Sequence, residues 1–363
     1  MKAAAQASTG EGFRLFPVIE CWNTLSKPAI IDVVTSWNPD LIHFEFPTQG
    51  VLGARLPWQL PLYFHLLGIP VVQTWHELGL LTHPFKFMHF ILSHGMPTLA
   101  LVPGEVIVVR RDYADLIRAF LRPLLVNKSI RFIPNASAVP SVQIRSAERS
   151  AIRSTYARSN AQLVVFFGFL HESKRIELLF EIADPDTTHI VIVGGSFRLQ
   201  DCASPTWALR NMVSEYERKL RSIAEAQPWK GKVTFAGFLP VEEAARVIAC
   251  ADAVVMPFQS GEWNTSLHAA QAQGTFALTT SRTQQGYNVK LNTYYANPGD
   301  VVELKRALTQ YIGVRSEDPR RASTAWDAIS VAHVDLYTNV AERPKTRRSR
   351  ILKLLARALW RIV

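Results

Sequence analysis

Short runs of apolar and β-branched residues alternate along the chain with longer stretches in which apolar positions recur every three or four residues. That alternation marks βαβ units on a parallel sheet. In the first half it predicts strands at Leu41–Phe46, Ile69–Trp75, Glu105–Arg110 and Ile130–Pro134, with a weaker one at Arg14–Ile19. In the second half strands are predicted at Leu163–Gly168, His189–Gly194, Lys232–Ala236, Ala253–Pro257 and Thr275–Thr280. Helical patterns separate these at Ile176–Ala183, Trp207–Ala226, Val241–Ala251 and Ser266–Gln273. Five strands with intervening helices complete a doubly wound domain of ordinary size. The polar stretch Ser137–Ser146, which contains Pro140, reads as a linker.

Composition narrows the class. With 363 residues, 48% hydrophobic and 19% charged, the chain has room for two cored domains. Cys21, Cys202 and Cys250 lie far apart and form neither a metal-ligand spacing nor a disulfide framework, as suits a reducing compartment. Met1–Gly12 has no apolar signal core, and no stretch reaches the roughly 18 to 20 apolar residues of a membrane span. The expectation is a cytoplasmic protein.

The net charge of +10 is unevenly spread, since Ala341–Val363 holds eight basic residues against Glu342 alone. A nucleic-acid protein carries its charge over a binding face, so a tail of this kind points away from a nucleic-acid partner. Within it, Arg350, Lys353, Arg357 and Arg361 fall on one helical face. Ile351, Leu352, Leu354, Leu355, Leu359, Trp360 and Ile362 cover most of the remainder. A basic amphipathic segment suits an anionic membrane surface, which predicts peripheral attachment to the inner face of the cell membrane. The bland alternative is a helix packed on its own domain with a solvated basic edge.

Doubly wound domains bind ligands beyond the carboxyl ends of their strands. No G-x-G-x-x-G follows the first strand of either half and no Walker P-loop is present, which argues against dinucleotide dehydrogenases and P-loop kinases. In the second half, Pro257 closes a buried strand, Ser260–Asn264 forms a polar loop, and Thr265-Ser266 opens a helix that stops before Gly274. With Asn264 or Thr265 as N-cap, the free N–H groups of that helix start form an anion site. Lys174 stands at a helix start, where a cation is mildly unfavourable unless an anion is bound; Arg175 either adds a second charge or faces solvent. His76 follows the apolar strand "IPVVQTW" at its carboxyl end, with Glu77 beside it, and His43 and Glu45 share one face of the strand before.

Three segments resemble the retaining glycosyltransferases of family 4, bacterial branch. They are "VVFFGFLHESKRIELLFEI", the run from "VTFAGFLPVEEAARVIACADAVVMPF" through "QSGEWNTSLHAAQAQGTFALTT", and "WDAISVAHVDLYTNV", with Trp326, Ile329, His333 and Tyr337 at matching spacing. The resemblance covers roughly residues 160 to 340, and more loosely "DLIHFEFP", "GIPVVQTWHELG" and "RFIPNASAVP". It implies the GT-B fold, two facing doubly wound (Rossmann-like) domains. Their bounds would be 1–140 on the acceptor side and 141–320 for the sugar nucleotide, with a closing helix at 321–340 and the basic tail at 345–363. The N-terminal domain is short, with about 40 residues before "DLIHFEFP".

By that resemblance the activity is metal-independent, retaining transfer of a hexose from a nucleotide-sugar donor to a hydroxyl acceptor, with no cofactor. A membrane-attached enzyme would act on a cell-envelope, polysaccharide or lipid-linked glycan. Gly168 and Lys174 match the segment beside the donor diphosphate, and Arg175 stands where the family has glycine. Gly261, Asn264, Thr265 and Ser266 match the nucleotide-holding loop and helix, Glu262 a contact to donor hydroxyls, and His76 a histidine near the transferred sugar. A second glutamate, eight residues after the first in many members, is replaced here by Ala270. That loss and the short front motivate the alternative, a catalytically inactive relative acting as partner or scaffold.

Overall fold

The computed structural model describes residues 8–10, 13–16, 18–19, 24–46, 56–76, 102, 104–110, 113–115, 118, 128–137, 139–158, 160–196, 207–259, 265–280, 286–288, 292–316 and 326–343. The chain forms two compact units. One comprises Met1–Pro134 and Ile329–Val363, the other Asn135–Ala328.

In the first unit, β1 (Ser8–Gly10) and β2 (Phe13–Leu15) pair antiparallel by themselves. The weak strand expected at Arg14–Ile19 is thus part of a hairpin and not of the main sheet. After α1 (Lys27–Trp37) come β3 (Ile42–Phe46), α2 (Leu56–Leu66), β4 (Val71–Trp75), β5 (Gly104–Val108) and β6 (Lys128–Phe132). These four strands form a parallel sheet in chain order, β3-β4-β5-β6. β4 is buried along its whole length, its polar pair included: Gln73 accepts from Trp75 Nε1 at 3.3 Å and the Thr74 hydroxyl bonds His43 Nε2 at 2.7 Å.

The second unit opens with α3 (Ser146–Tyr156), followed by β7 (Gln162–Phe167), α4 (Leu179–Ile182), β8 (Thr188–Val193), α5 (Trp207–Glu225) and β9 (Val233–Gly237). Next come α6 (Val241–Cys250), β10 (Ala253–Met256), α7 (Thr265–Ala272), β11 (Ala277–Thr280), β12 (Gly286–Asn288), β13 (Thr293–Ala296) and α8 (Val301–Tyr311). Its sheet runs β12-β13-β11-β10-β7-β8-β9, with β12 antiparallel to β13 and the other pairs parallel. The sequence pattern stopped at Thr280 and missed β12 and β13. In β13 the apolar signal is diluted by Tyr294 and Tyr295, and the Tyr294 hydroxyl donates to Glu303 at 3.0 Å.

Leu163, Val164, Val165 and Phe166 are fully buried at the centre of this unit's core. Burying the side chains of that one strand contributes on the order of 1.5–3 kcal/mol each. α6 buries Ala244, Ala245, Val247 and Ile248, while Glu242 and Glu243 sit in its first turn, where carboxylates suit the helix dipole. At its other end Arg153 donates to the Cys250 carbonyl at 2.9 Å, and Arg315 to those of Ala249 and Ala251 at 2.8 and 2.6 Å. These guanidiniums satisfy carbonyls that the helix itself leaves unpaired.

The helix α9 (Trp326–Ala341) begins in the second unit and passes into the first at Ile329. Trp326 Nε1 donates to the Ser137 carbonyl at 2.7 Å, and Gln273 to that of Pro140 at 2.6 Å. The linker is therefore held against the second unit. Among the described residues, no helix is long and apolar enough to cross a membrane.

Candidate active site

The order of the second sheet fixes where a ligand belongs. From β7 the chain winds outward through β8 and β9, then returns to β10 on the other side before continuing to β11 and β13. The point where the winding reverses, between β7 and β10, is where loops diverge beyond the strand ends and leave a crevice. The segments after β7 and β10 carry the residues singled out in the sequence.

β7 ends at Phe167, and Gly168 follows at φ +144°. A Cβ there would lie 3.3 Å from Ser266 Oγ, so Gly168 and the start of α7 are neighbours. Gly194, at the end of β8 with φ +127°, approaches closer still. A Cβ on it would sit 1.9 Å from the Gly168 carbonyl oxygen, so only glycine fits. The sequence reading did not single out Gly194 as a site residue. It also passed over Phe169 and Phe238, which are exposed and meet edge to face at 5.9 Å beside Gly195.

The turn bearing Lys174 is built locally. The Ser173 N–H donates to His171 Nδ1 at 3.1 Å, and the Lys174 N–H to the His171 carbonyl at 2.8 Å. The Gln259 N–H donates to the Ser173 carbonyl at 3.1 Å, tying this turn to the segment after β10. The Lys174 ammonium lies 4.2 Å above the Phe258 ring, a cation–π contact that holds the charge beside the crevice.

Arg175 adopts left-handed backbone angles, φ 48° and ψ 42°. That explains physically why the resembling family has glycine here. Its guanidinium donates to Glu177 at 2.7 Å, and Glu177 also accepts from the Tyr216 hydroxyl at 2.5 Å. Burial pushes the Glu177 carboxyl up, but the Tyr216 and Arg175 hydrogen bonds outweigh it and leave the group more acidic than usual. Arg175 is thus paired with a carboxylate, with a third of its side chain exposed.

α7 begins at Thr265, exposed, with Ser266 buried behind it. His268, one turn on, is buried, and burial brings its imidazole down to about 4. It is therefore neutral at physiological pH and adds no charge to the helix start. Gly261, Glu262 and Asn264 lie outside the described residues.

His76 belongs to a different cluster, in the first unit. Its Nε2 lies 2.5 Å from Glu45 Oε2. Glu45 stands near the end of β3, paired in register with Thr74, and its second oxygen lies 3.3 Å from His43 Nε2. His43 also hydrogen-bonds Thr74 Oγ1 at 2.7 Å and the Tyr337 hydroxyl at 2.6 Å. His333, one turn before Tyr337, places its ring 5.9 Å from that of His43.

Burial pushes the Glu45 carboxyl up, but the His76 hydrogen bond and the nearby imidazoles hold it below the usual carboxylate range. Burial lowers His43, and the pull of Glu45 does not offset it. A carboxylate can only accept, so His76 Nε2 carries the proton it donates. Among the described residues, no group of three or more His, Cys, Asp or Glu side chains is placed to hold a metal ion.

Residues 161–313 match the family model for glycosyl transferases group 1. The chain is similar in structure to sucrose-phosphate synthase from Thermosynechococcus elongatus, at TM-score 0.66 and 17% identity over 87% of this chain and 78% of that one. It is also similar to HepE from Anabaena in complex with UDP and glucose, at TM-score 0.60 and 18% identity over 87% and 80%. The catalytic domain of starch synthase IV from Arabidopsis thaliana, bound to ADP and acarbose, aligns at TM-score 0.56 and 14% identity over 88% and 77%. No curated protein matches by sequence. The fold is GT-B, and Gly168, Lys174 and Ser266 lie within the segment that matches the group 1 glycosyl transferase model.

Proposed function

We propose that this chain is a metal-independent glycosyltransferase of family 4, moving a hexose from a nucleotide-sugar donor to a hydroxyl of a cell-envelope, polysaccharide or lipid-linked glycan, with retention. One observation carries the reading. At the winding reversal between β7 and β10, the segment after β10 is bonded to the lysine turn through Gln259 and Ser173, and Gly168 after β7 lies beside Ser266 at the start of α7. A helix start offers N–H groups and a positive dipole end to an anion, and Lys174 adds a full charge. The anion that suits a GT-B crevice is the donor diphosphate.

As the glycosidic bond to phosphate breaks, negative charge gathers on the diphosphate. Lys174 and the Asn264–Ser266 helix start stabilise that charge more than the ground state, which is what accelerates the step. Glu262 holds donor hydroxyls and His76 positions the transferred sugar. The acceptor hydroxyl enters on the face the diphosphate leaves and gives its proton to the departing phosphate, so no protein nucleophile is required. The tail Lys345–Val363, outside the described residues, would hold the enzyme on an anionic membrane, basic residues near such a surface contributing about 1 kcal/mol each.

A thermal-shift screen of sugar nucleotides, followed by assay of sugar release from any that stabilise the protein, tests the reading. Binding with release supports it. Binding without release at any acceptor concentration favours the inactive scaffold, the reading that Ala270, fully buried in α7, motivates. No binding removes the donor site altogether.

A further inference from the structure

His76 is joined by hydrogen bonds to a residue 261 positions away on the closing helix. The connection is continuous. The Tyr337 hydroxyl lies 2.6 Å from His43 Nδ1 and donates to it when the acceptor-only Glu45 draws the ring proton to Nε2. The neutral His43 ring then carries its proton on Nε2, which faces Thr74 Oγ1 at 2.7 Å and Glu45 Oε1 at 3.3 Å. The remaining Glu45 oxygen accepts from His76 at 2.5 Å. Glu45 can only accept and faces Nε2 of both rings, so a proton on each Nε2 is the arrangement that satisfies every one of these contacts.

The element supplying Tyr337 is firmly seated. Ile329, Leu336 and Val340 of α9 are buried. Beyond its last turn, Arg343 pairs with Glu105, whose side chain is fully buried and also accepts from Arg131 at 3.3 Å. Tyr337 therefore reaches His43 from a helix pinned on both sides of it. Glu45, by contrast, is half-exposed at the strand end. Without support, a carboxylate there would be free to leave His76 for water.

We propose that Tyr337, His43 and Glu45 are positioning residues for His76. They hold its Nε2–H on Glu45 and so fix the tautomer and direction of the ring at the carboxyl end of β4. The proposal rests on the glycosyltransferase reading above only for what His76 then touches; the coupling itself is a property of the first unit. Orientation of one imidazole through a carboxylate and a second ring is a known way to fix both tautomer and direction.

Two measurements on the full chain test this. The first uses protein with 15N-labelled histidine, the ring resonances being assigned through His43→Gln and His76→Gln. Tyr337→Phe, which removes one hydroxyl, should move the nitrogen shifts of both rings, and Glu45→Gln should do the same. A Tyr337→Phe spectrum in which His43 moves and His76 stays in place overturns the coupling. The second measures sugar release from UDP-glucose. Loss of one hydrogen bond's worth of orientation should lower kcat about tenfold with KM changed less than twofold. Coupled rings with unchanged kcat in Tyr337→Phe overturn the positioning role. If the wild-type protein neither binds nor cleaves any sugar nucleotide while its rings respond together, the transferase reading fails and the coupling stands.

Discussion

Acid should weaken the second unit through His268, and the size of the effect can be worked out in advance. The unfolded imidazole has its ordinary value of 6.5, whereas burial in α7 brings the native one to about 4. The native protein thus binds this proton less readily than the unfolded chain does. Stability from His268 is fully present above pH 6.5 and is withdrawn as the pH falls from 6.5 towards 4. A tenfold difference in proton affinity is worth about 1.4 kcal/mol, so the whole window removes about 3 kcal/mol. Linkage places ~2 kcal/mol of that between pH 7.5 and 5.0.

Other groups titrate in the same range, so the informative quantity is the difference between wild type and His268→Gln. Urea unfolding of the full chain, followed by amide exchange in peptides of β7, reports on this unit. The wild type should lose ~2 kcal/mol more than the variant across that pH step. Equal losses in the two proteins would refute a buried neutral imidazole at this position.

Gly194→Ala should destabilise the second unit by more than about 2 kcal/mol, since positive φ strain of 1–3 kcal/mol adds to a clash with the Gly168 carbonyl; an unchanged thermal midpoint would contradict the close approach. At Arg175 the usual helix-former order should invert, with Arg175→Gly about 1 kcal/mol more stable than Arg175→Ala because both lose the Glu177 ion pair but only alanine keeps left-handed strain. Calorimetric melting decides that order. Deleting Lys345–Val363 should release the protein from anionic liposomes in a sedimentation assay while donor binding persists; full-length protein that ignores such liposomes at low salt removes the membrane proposal.

The sequence was most legible where burial is most uniform. β7, β8 and β10 are apolar on both faces, so their runs appear without ambiguity, and the amphipathic α6 between them follows from a 3.6-residue period. The two tyrosines of β13 and the three residues of β12 carry no comparable signal. The winding reversal depends on strand order, which periodicity does not encode, although the residues beside it were read from their capping and charge. The left-handed conformation of Arg175 left its trace in a family glycine. Its partner Glu177 lies only two residues on, but nothing in a linear pattern shows which way a guanidinium turns. The pairing of His76 with Glu45, and of His43 with Tyr337, joins residues 31 and 294 positions apart. Distances of that kind exist only once the sheet and α9 have formed.

The proposed donor site stands or falls with the diphosphate contact at Lys174 and the start of α7. Isothermal titration of wild-type protein and Lys174→Ala with the sugar nucleotide that stabilises the wild type most is the direct measurement. A charge-assisted contact to phosphate is worth roughly 1.5–3 kcal/mol, so the variant should bind at least tenfold more weakly while its thermal midpoint stays within a few degrees. Equal affinity in the two proteins would take Lys174 out of the site and contradict the account.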